Sequence, residues 1–228
     1  MKSRPILFST PMVQAILEGR KTQTRRIVKP QPPLENIDED PCFDYDRGVE
    51  KGSMENPVLY AEWAQWQDEF VNTTTKPIES HCVYSPYGKH GDVLWVRETF
   101  FKNPNTGVFV FKAATEMRII DTDFVKWKPS IFMPKDAARI WLKITDVRVQ
   151  RLQDIDSGDA ISEGIEFWWS DLFSEYRYKD YANVKDNWRS SVSSFQSLWS
   201  SIHGINSWDD NPWVWVIEFE RIEKPSEV

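Results

Sequence analysis

The chain has 228 residues with a net charge of −7, and is 40% hydrophobic and 14% aromatic; that is enough apolar chain for one large domain with a core of its own. It has no run of about 18 apolar residues, so no membrane span is expected. The opening MKSRPILFSTPM lacks the apolar centre of a signal peptide, and the two cysteines, Cys42 and Cys82, lie far apart; both point to a cytoplasmic protein with idle thiols.

From the N-terminus, STPMVQAILEGRK reads as a short helix. Thr10 is the expected N-cap and Pro11 the first helical residue, because the missing proline N–H would be unpaired there anyway. Val13, Ile16 and Leu17 fall on one face, and Gly19 suits the left-handed position that ends a helix. KTQTRRIV follows as a strand. Thr22, Thr24 and Arg26 share one of its faces, and Lys21 points the other way unless the turn extends through it. Four prolines and an acidic run in KPQPPLENIDEDP open an insertion expected over 30–86, with some strand character in PVLYAEWAQW. Regular pattern returns with a turn over 88–92, a strand over 93–100 and another in GVFVFKA. ARIWLKITDVRVQRLQDI is the clearest β stretch, alternating through Val149. DIDSGDAISEGI is a short helix, capped by Asp156 or Ser157 and stopped by Gly164. Residues 167–192 read as a second insertion, a polar and aromatic-rich connection. SSFQSLWSSIHG is a helix with Phe195, Leu198, Trp199 and Ile202 on its buried face, and NPWVWVIEFERI is a closing strand. The pattern predicts one domain over 1–228. It is mainly β with short α-helices (α+β), a small β-barrel carrying peripheral insertions at 30–86 and 167–192.

Negative charge is concentrated. Residues 30–70 hold eleven acids against Arg47 and Lys51, a local −9 that leaves +2 for the rest. Bulk charge argues against a general polyanion binder and leaves room for a local basic cleft. His81, His90 and His203 have no zinc-type spacing with either cysteine, so no metal is expected. There is no phosphate loop, nucleophile elbow or dinucleotide fingerprint, and no cofactor is expected. Trp95, Trp208, Trp213 and Trp215 suit core and rim, or a stacking wall for a base.

The stretch EGRKTQTRR concentrates positive charge in this acidic chain. Its ordinary reading is a solvated charge run. The other reading starts from Lys21, held just behind the Gly19 turn. A lysine in a partly buried pocket can lose its proton and activate a neighbouring hydroxyl, here Thr24. Desolvation and the adjacent Arg25 and Arg26 both push its pKa down. A carboxylate would complete the set, and Glu163 on the short helix and Glu98 on a strand are the candidates.

Gly19-x-Lys21-x-x-Thr24-x-Arg26 resembles the G-x-K-x-x-T-x-R signature of the ASCH domain family, a branch of the PUA-like β-barrels. ILFSTPMVQAILEGRKTQTRR, YGKHGDVLWVRETF, KPSIFMPKDAARIWLKITDVRVQRLQDI, DAISEGI and NPWVWVIEFERI together look like the longer ASCH proteins of phages and prophages. These blocks cover a little over a third of the chain, and the two insertions have no counterpart in the minimal domain. The resemblance implies a PUA-like β-barrel and RNA or a modified nucleoside as partner. Gly19, Arg25 and Arg26 would line the cleft between helix and barrel, with Trp95 and Glu98 as further substrate-binding candidates. Some small members are amidohydrolases that remove the acyl group from acetylated cytidine with a lysine, a threonine and a glutamate. The resemblance maps these onto Lys21, Thr24 and Glu163. Other members have been linked to RNA cleavage. Three expectations follow: an amidohydrolase for an acylated cytidine, a binding module for RNA or a modified base without turnover, or a ribonuclease or phage accessory protein that binds another protein.

Overall fold

A computed structural model describes residues 1–31, 58–62, 80–114, 125–182 and 187–226. In chain order the elements are β1 (Ser3–Leu7), α1 (Thr10–Leu17), β2 (Gln23–Ile27), β3 (Val58–Glu62), β4 (Ser80–Tyr84), β5 (Val93–Arg97), β6 (Phe100–Lys102) and β7 (Phe109–Phe111), followed by β8 (Trp141–Arg151), α2 (Ser157–Ser162), β9 (Phe167–Ser170), β10 (Glu175–Tyr178), α3 (Ser191–His203) and β11 (Trp213–Ile222). The described residues are thus mainly β, with three short α-helices among them. Most of the acidic 30–70 segment, Cys42 included, lies outside the described residues, and so do the side chains of His81 and Cys82.

The centre is a five-stranded sheet in the order β1-β5-β8-β11-β2. β1 runs parallel to β5, and the other neighbours are antiparallel. β8 and β11 form its spine, paired from Trp141↔Ile222 to Arg151↔Trp213 with one irregularity at Glu218/Phe219. Their β-branched and aromatic residues fit a pleated surface buried on both sides. Alternate residues of β11 face different cores. Trp213, Trp215 and Ile217 pack with Ile6, Phe8, Val13 and Leu142, while Val214 and Val216 pack under α2 and α3 with Ala160, Phe195 and Trp199. Each fully buried valine, leucine, isoleucine or phenylalanine among them contributes about 1.5–3 kcal/mol. The pairs β3–β4, β6–β7 and β9–β10 are separate two-stranded sheets, so among the described residues neither 30–86 nor 167–192 supplies a strand to the central one. Among the described residues no strand pairing joins β1 to β2, and the sheet is open at that seam. A side chain bridges it instead: the Arg26 guanidinium donates to the Leu7 carbonyl at 2.6 Å. No helix among the described residues is long and apolar enough to cross a membrane.

Among the described residues the sheet does not close into the expected barrel, and the structure departs from the sequence reading in five further places. Ser9, not Thr10, is the N-cap of α1, in extended conformation and without a side-chain cap bond. β1 was not anticipated; it contains Pro5, which only an edge strand tolerates comfortably. The strand expected over 93–100 breaks after Arg97, because Phe100 turns away to pair with Phe111. Residues 167–192 hold the β9–β10 hairpin rather than an irregular connection, with Phe167, Trp169 and Tyr176 in edge-on ring contacts on one face. Ile202 is exposed (51%) because the last turn of α3 runs past the core, whereas Phe195 and Trp199 are buried.

Candidate functional site

The site is assembled by two chain turns. Gly19 (φ 75°) ends α1 in the left-handed region, and the N–H groups of Arg20 and Lys21 both donate to the Ala15 carbonyl. This lays residues 20–22 along the end of α2. That helix starts at Asp156, whose carboxylate accepts from the Asp159 N–H at 2.7 Å, and it ends at Glu163. Its last carbonyls would otherwise lack donors. Thr22 N–H donates to Ser162 O at 2.9 Å, Lys21 Nζ to Glu163 O at 2.8 Å, and Arg20 to Gly164 O at 2.7 Å. Only glycine fits at 164. Its φ is 87°, and a Cβ there would lie 2.7 Å from Lys21 Cβ and 3.0 Å from Ala15 Cβ.

Lys21 makes a second bond from Nζ, to Glu163 Oε2 at 2.8 Å. Its side chain has 0% exposure and that of Glu163 has 5%. The other carboxylate oxygen, Oε1, accepts from Arg25 at 3.2 Å. Arg25 also grips Asp159 and donates to Gln23 Oε1 at 2.7 Å. Arg148 meets Asp159 at 3.4 Å and pairs with Glu218. Charges therefore alternate from buried Lys21 through Glu163, Arg25, Asp159 and Arg148 to half-exposed Glu218. Burial pushes the Lys21 pKa below its ordinary value; Glu163 opposes that shift, and Arg26 and Arg25 add to it. Burial alone would raise Asp159, but hydrogen bonds from Gln23 and Arg25, together with the charge of Arg25, hold it below the ordinary carboxylate value.

Strand alternation sends Gln23 and Arg25 to the α2 side and Thr24 and Arg26 to the other. Thr24 is buried (2%) opposite Ile217 of β11. No hydrogen bond joins its hydroxyl to Lys21 among the described residues. The Phe8 ring links the two sides, with Lys21 Nζ 5.8 Å and the Arg26 guanidinium 5.2 Å from its centroid. Beyond Arg26 lies a pocket of about 320 Å³, walled by Lys29, Tyr87, His203 and Trp215.

The structure thus brings together Lys21, Arg25 and Glu163, with Thr24, Arg26 and Gly19 on the segments around them. Trp95 and Glu98 have other partners. Trp95 packs with Met133 and Trp141 in a third cluster, and both Glu98 oxygens accept from Arg139 at 2.8 and 2.9 Å. Neither has a bond to Lys21, Arg25 or Arg26. Trp213 and Trp215 are core residues, with the edge of Trp215 reaching the pocket. Sequence reasoning missed Asp159, Gln23 and Phe8, and of the pocket residues it named Arg26 and Trp215 but not Lys29 or Tyr87, while His203 was weighed only as a metal ligand. Asp159 had a usable signal: it stands four residues before Glu163, so both share one helix face.

Protein-family models, curated proteins and solved structures gave no match to this chain.

Proposed function

We propose that the chain is a PUA-like protein of the ASCH type whose Lys21, Thr24 and Glu163 form an amidohydrolase site for an acylated cytidine. The observation that carries this reading is the coordination of Lys21. Its Nζ is closed to solvent and meets two acceptors, both on Glu163. A neutral amine has two N–H groups and a lone pair, so it satisfies both acceptors and keeps the lone pair for a proton. An ammonium would turn its third N–H toward the Phe8 ring. Burial lowers the Lys21 pKa, which makes its proton easier to release than that of an exposed lysine.

In this reading Thr24 Oγ1 attacks the acyl carbon while Lys21 takes the hydroxyl proton. The hydrogen bond between them forms when substrate closes the site, as catalytic contacts often do. Arg26 or a backbone N–H steadies the oxyanion. Glu163 orients the amine and relays the proton to the leaving nitrogen. The C–N bond then breaks, giving the free cytosine amine and an acyl-threonine ester. Water cleaves the ester with Lys21 again as base, releasing the carboxylic acid and restoring Thr24.

Incubation with acetylcytidine, followed by chromatography, tests the reading. Lys21→Ala and Lys21→Arg should each lose at least about 100-fold in rate, the lower bound for a general base. Arginine keeps the charge but cannot release a proton near neutral pH. Full activity in Lys21→Arg would remove Lys21 from the chemistry. The second reading, a binding module without turnover, is favoured by the cationic pocket beside Arg26. It requires binding without product, and an affinity that Lys21→Arg retains.

A further inference from the structure

We infer that the pocket beyond Arg26 takes a phosphate ester, so that the ligand is a nucleotide or a residue of RNA rather than a free nucleoside. The inference rests on the proposed function only for the choice of cytosine as the base. At about 320 Å³ the pocket is at the small end of the range for bound small molecules. Every charged side chain of its described wall, Arg26 and Lys29, is cationic, and neither forms a salt bridge to a described carboxylate. This occurs in a chain whose net charge is −7, so the positive charge is local rather than a reflection of composition.

Three segments converge to make it: Arg26 and Lys29 come from β2 and the residues just beyond it, Tyr87 from the turn before β5, and His203 from the last turn of α3. Arg26 and Lys29 both depress the His203 pKa after burial does, so the three groups share one field. Burial also raises the Tyr87 pKa, with Arg26 opposing it, which leaves a neutral hydroxyl as a donor beside the cations. Two cations in a partly closed pocket repel each other, and an anion between them relieves that repulsion. A phosphate offers acceptor oxygens for the Arg26 fork, the Lys29 ammonium and the Tyr87 hydroxyl. The edge of Trp215 and the Tyr87 ring give the sugar or base an aromatic surface. Arg26 also stands over Phe8, the ring that Lys21 faces. A phosphate held here therefore positions its nucleotide at the open seam beside the Lys21–Glu163 pair.

Isothermal titration at low salt with cytidine, cytidine 5′-monophosphate, inorganic phosphate and a short oligocytidylate tests this. The monophosphate should bind at least about tenfold more tightly than cytidine, and that preference should shrink as salt rises. Lys29→Gln and Tyr87→Phe, each checked for an unchanged melting curve, should cut the preference several-fold. Competition by inorganic phosphate would identify a free-phosphate site, and tighter binding of the oligomer would identify RNA; both support a phosphate site. Equal affinity for cytidine and its monophosphate, no binding of either, or a preference that survives both substitutions overturns the inference. Turnover of acetylcytidine without a phosphate preference overturns this inference alone. A phosphate preference without turnover overturns the amidohydrolase reading alone.

Discussion

Glu163→Ala perturbs the buried cluster at its centre. It removes one of the two acceptors of Lys21 Nζ and one of the two carboxylates held by Arg25, while the residue 163 carbonyl and Asp159 stay in place. Removing one partner of a buried ion pair costs about 3–5 kcal/mol. Arg25 keeps Asp159 and Lys21 can shed its proton, so the lower end, about 3 kcal/mol, is expected at neutral pH. In a chain of this size that lowers Tm by about 6–12 °C. The pH dependence has a definite sign. The folded Lys21 pKa already lies below its ordinary 10.5, and losing Glu163 lowers it further. Between the two lowered values the folded variant binds fewer protons than the folded parent, so the deficit shrinks as pH rises through that window. Urea denaturation at pH 7 and 9.5, followed by tryptophan fluorescence with an unchanged m-value, measures both quantities. Lys21→Met in the same background should recover part of the loss, with a coupling of about 1–3 kcal/mol. A deficit below about 1 kcal/mol at pH 7, or additive single and double variants, would refute an energetically coupled Lys21–Glu163 pair.

Much of the central sheet was legible because its signals are local. Trp141–Arg151 and Trp213–Ile222 alternate strongly enough to declare themselves as strands. Gly19, Gly164 and Gly204 mark the ends of the three described α-helices, and each has a positive φ. β1 escaped notice because five residues with a proline carry little strand signal, and its place is set by parallel pairing with β5, far along the chain. The β9–β10 hairpin escaped because FWWS puts aromatics on both faces, so no alternation shows. Its Phe167, Trp168 and Trp169 are 42–52% exposed, which is not how an apolar strand is expected to behave. The absence of pairing between β1 and β2 is a tertiary fact that no local pattern encodes.

At the site, the motif drew attention to Lys21, Thr24, Arg25 and Arg26, and the resemblance drew it to Glu163. Composition alone left Glu98 and Glu163 equal. The structure separates their partners: Glu98 is bound by Arg139 and Glu163 by Lys21 and Arg25. Such a choice depends on which helix end meets which turn. The clasp between residues 20–22 and 162–164 spans some 140 positions of sequence, and its steric requirement at Gly164 is invisible until Lys21 is next to it. The pocket was equally hidden, because Lys29, Tyr87 and His203 have no spacing relation and meet only where three segments converge.

Three further outcomes follow from these contacts. Asp159 has a folded pKa below its ordinary value, so its stabilisation is complete above that value and is lost as pH falls through the folded one; Asp159→Asn should flatten the acid limb of a Tm-versus-pH curve, and an unchanged limb would count against the Arg25–Asp159 contact. Arg139→Met strands the buried Glu98 carboxylate and should cost about 3 kcal/mol in urea denaturation, yet leave acetylcytidine turnover at its parental rate; a selective loss of rate would return Glu98 to the site. The last comparison sets Gly164→Ala against Gly19→Ala. Both positions have positive φ, 87° and 75°, so both variants bear the left-handed strain of about 1–2 kcal/mol. At Gly19 nothing lies within 4 Å of a new Cβ, whereas at Gly164 the Lys21 Cβ is 2.7 Å away. The overlap must push the 20–22 segment off the end of α2, adding about 1–3 kcal/mol and moving Lys21 relative to Glu163. Gly164→Ala should therefore be the less stable of the two in urea and should also lose turnover, while Gly19→Ala loses stability alone. Equal losses in both variants would mean that the close approach of α2 to Lys21 does not hold the site together.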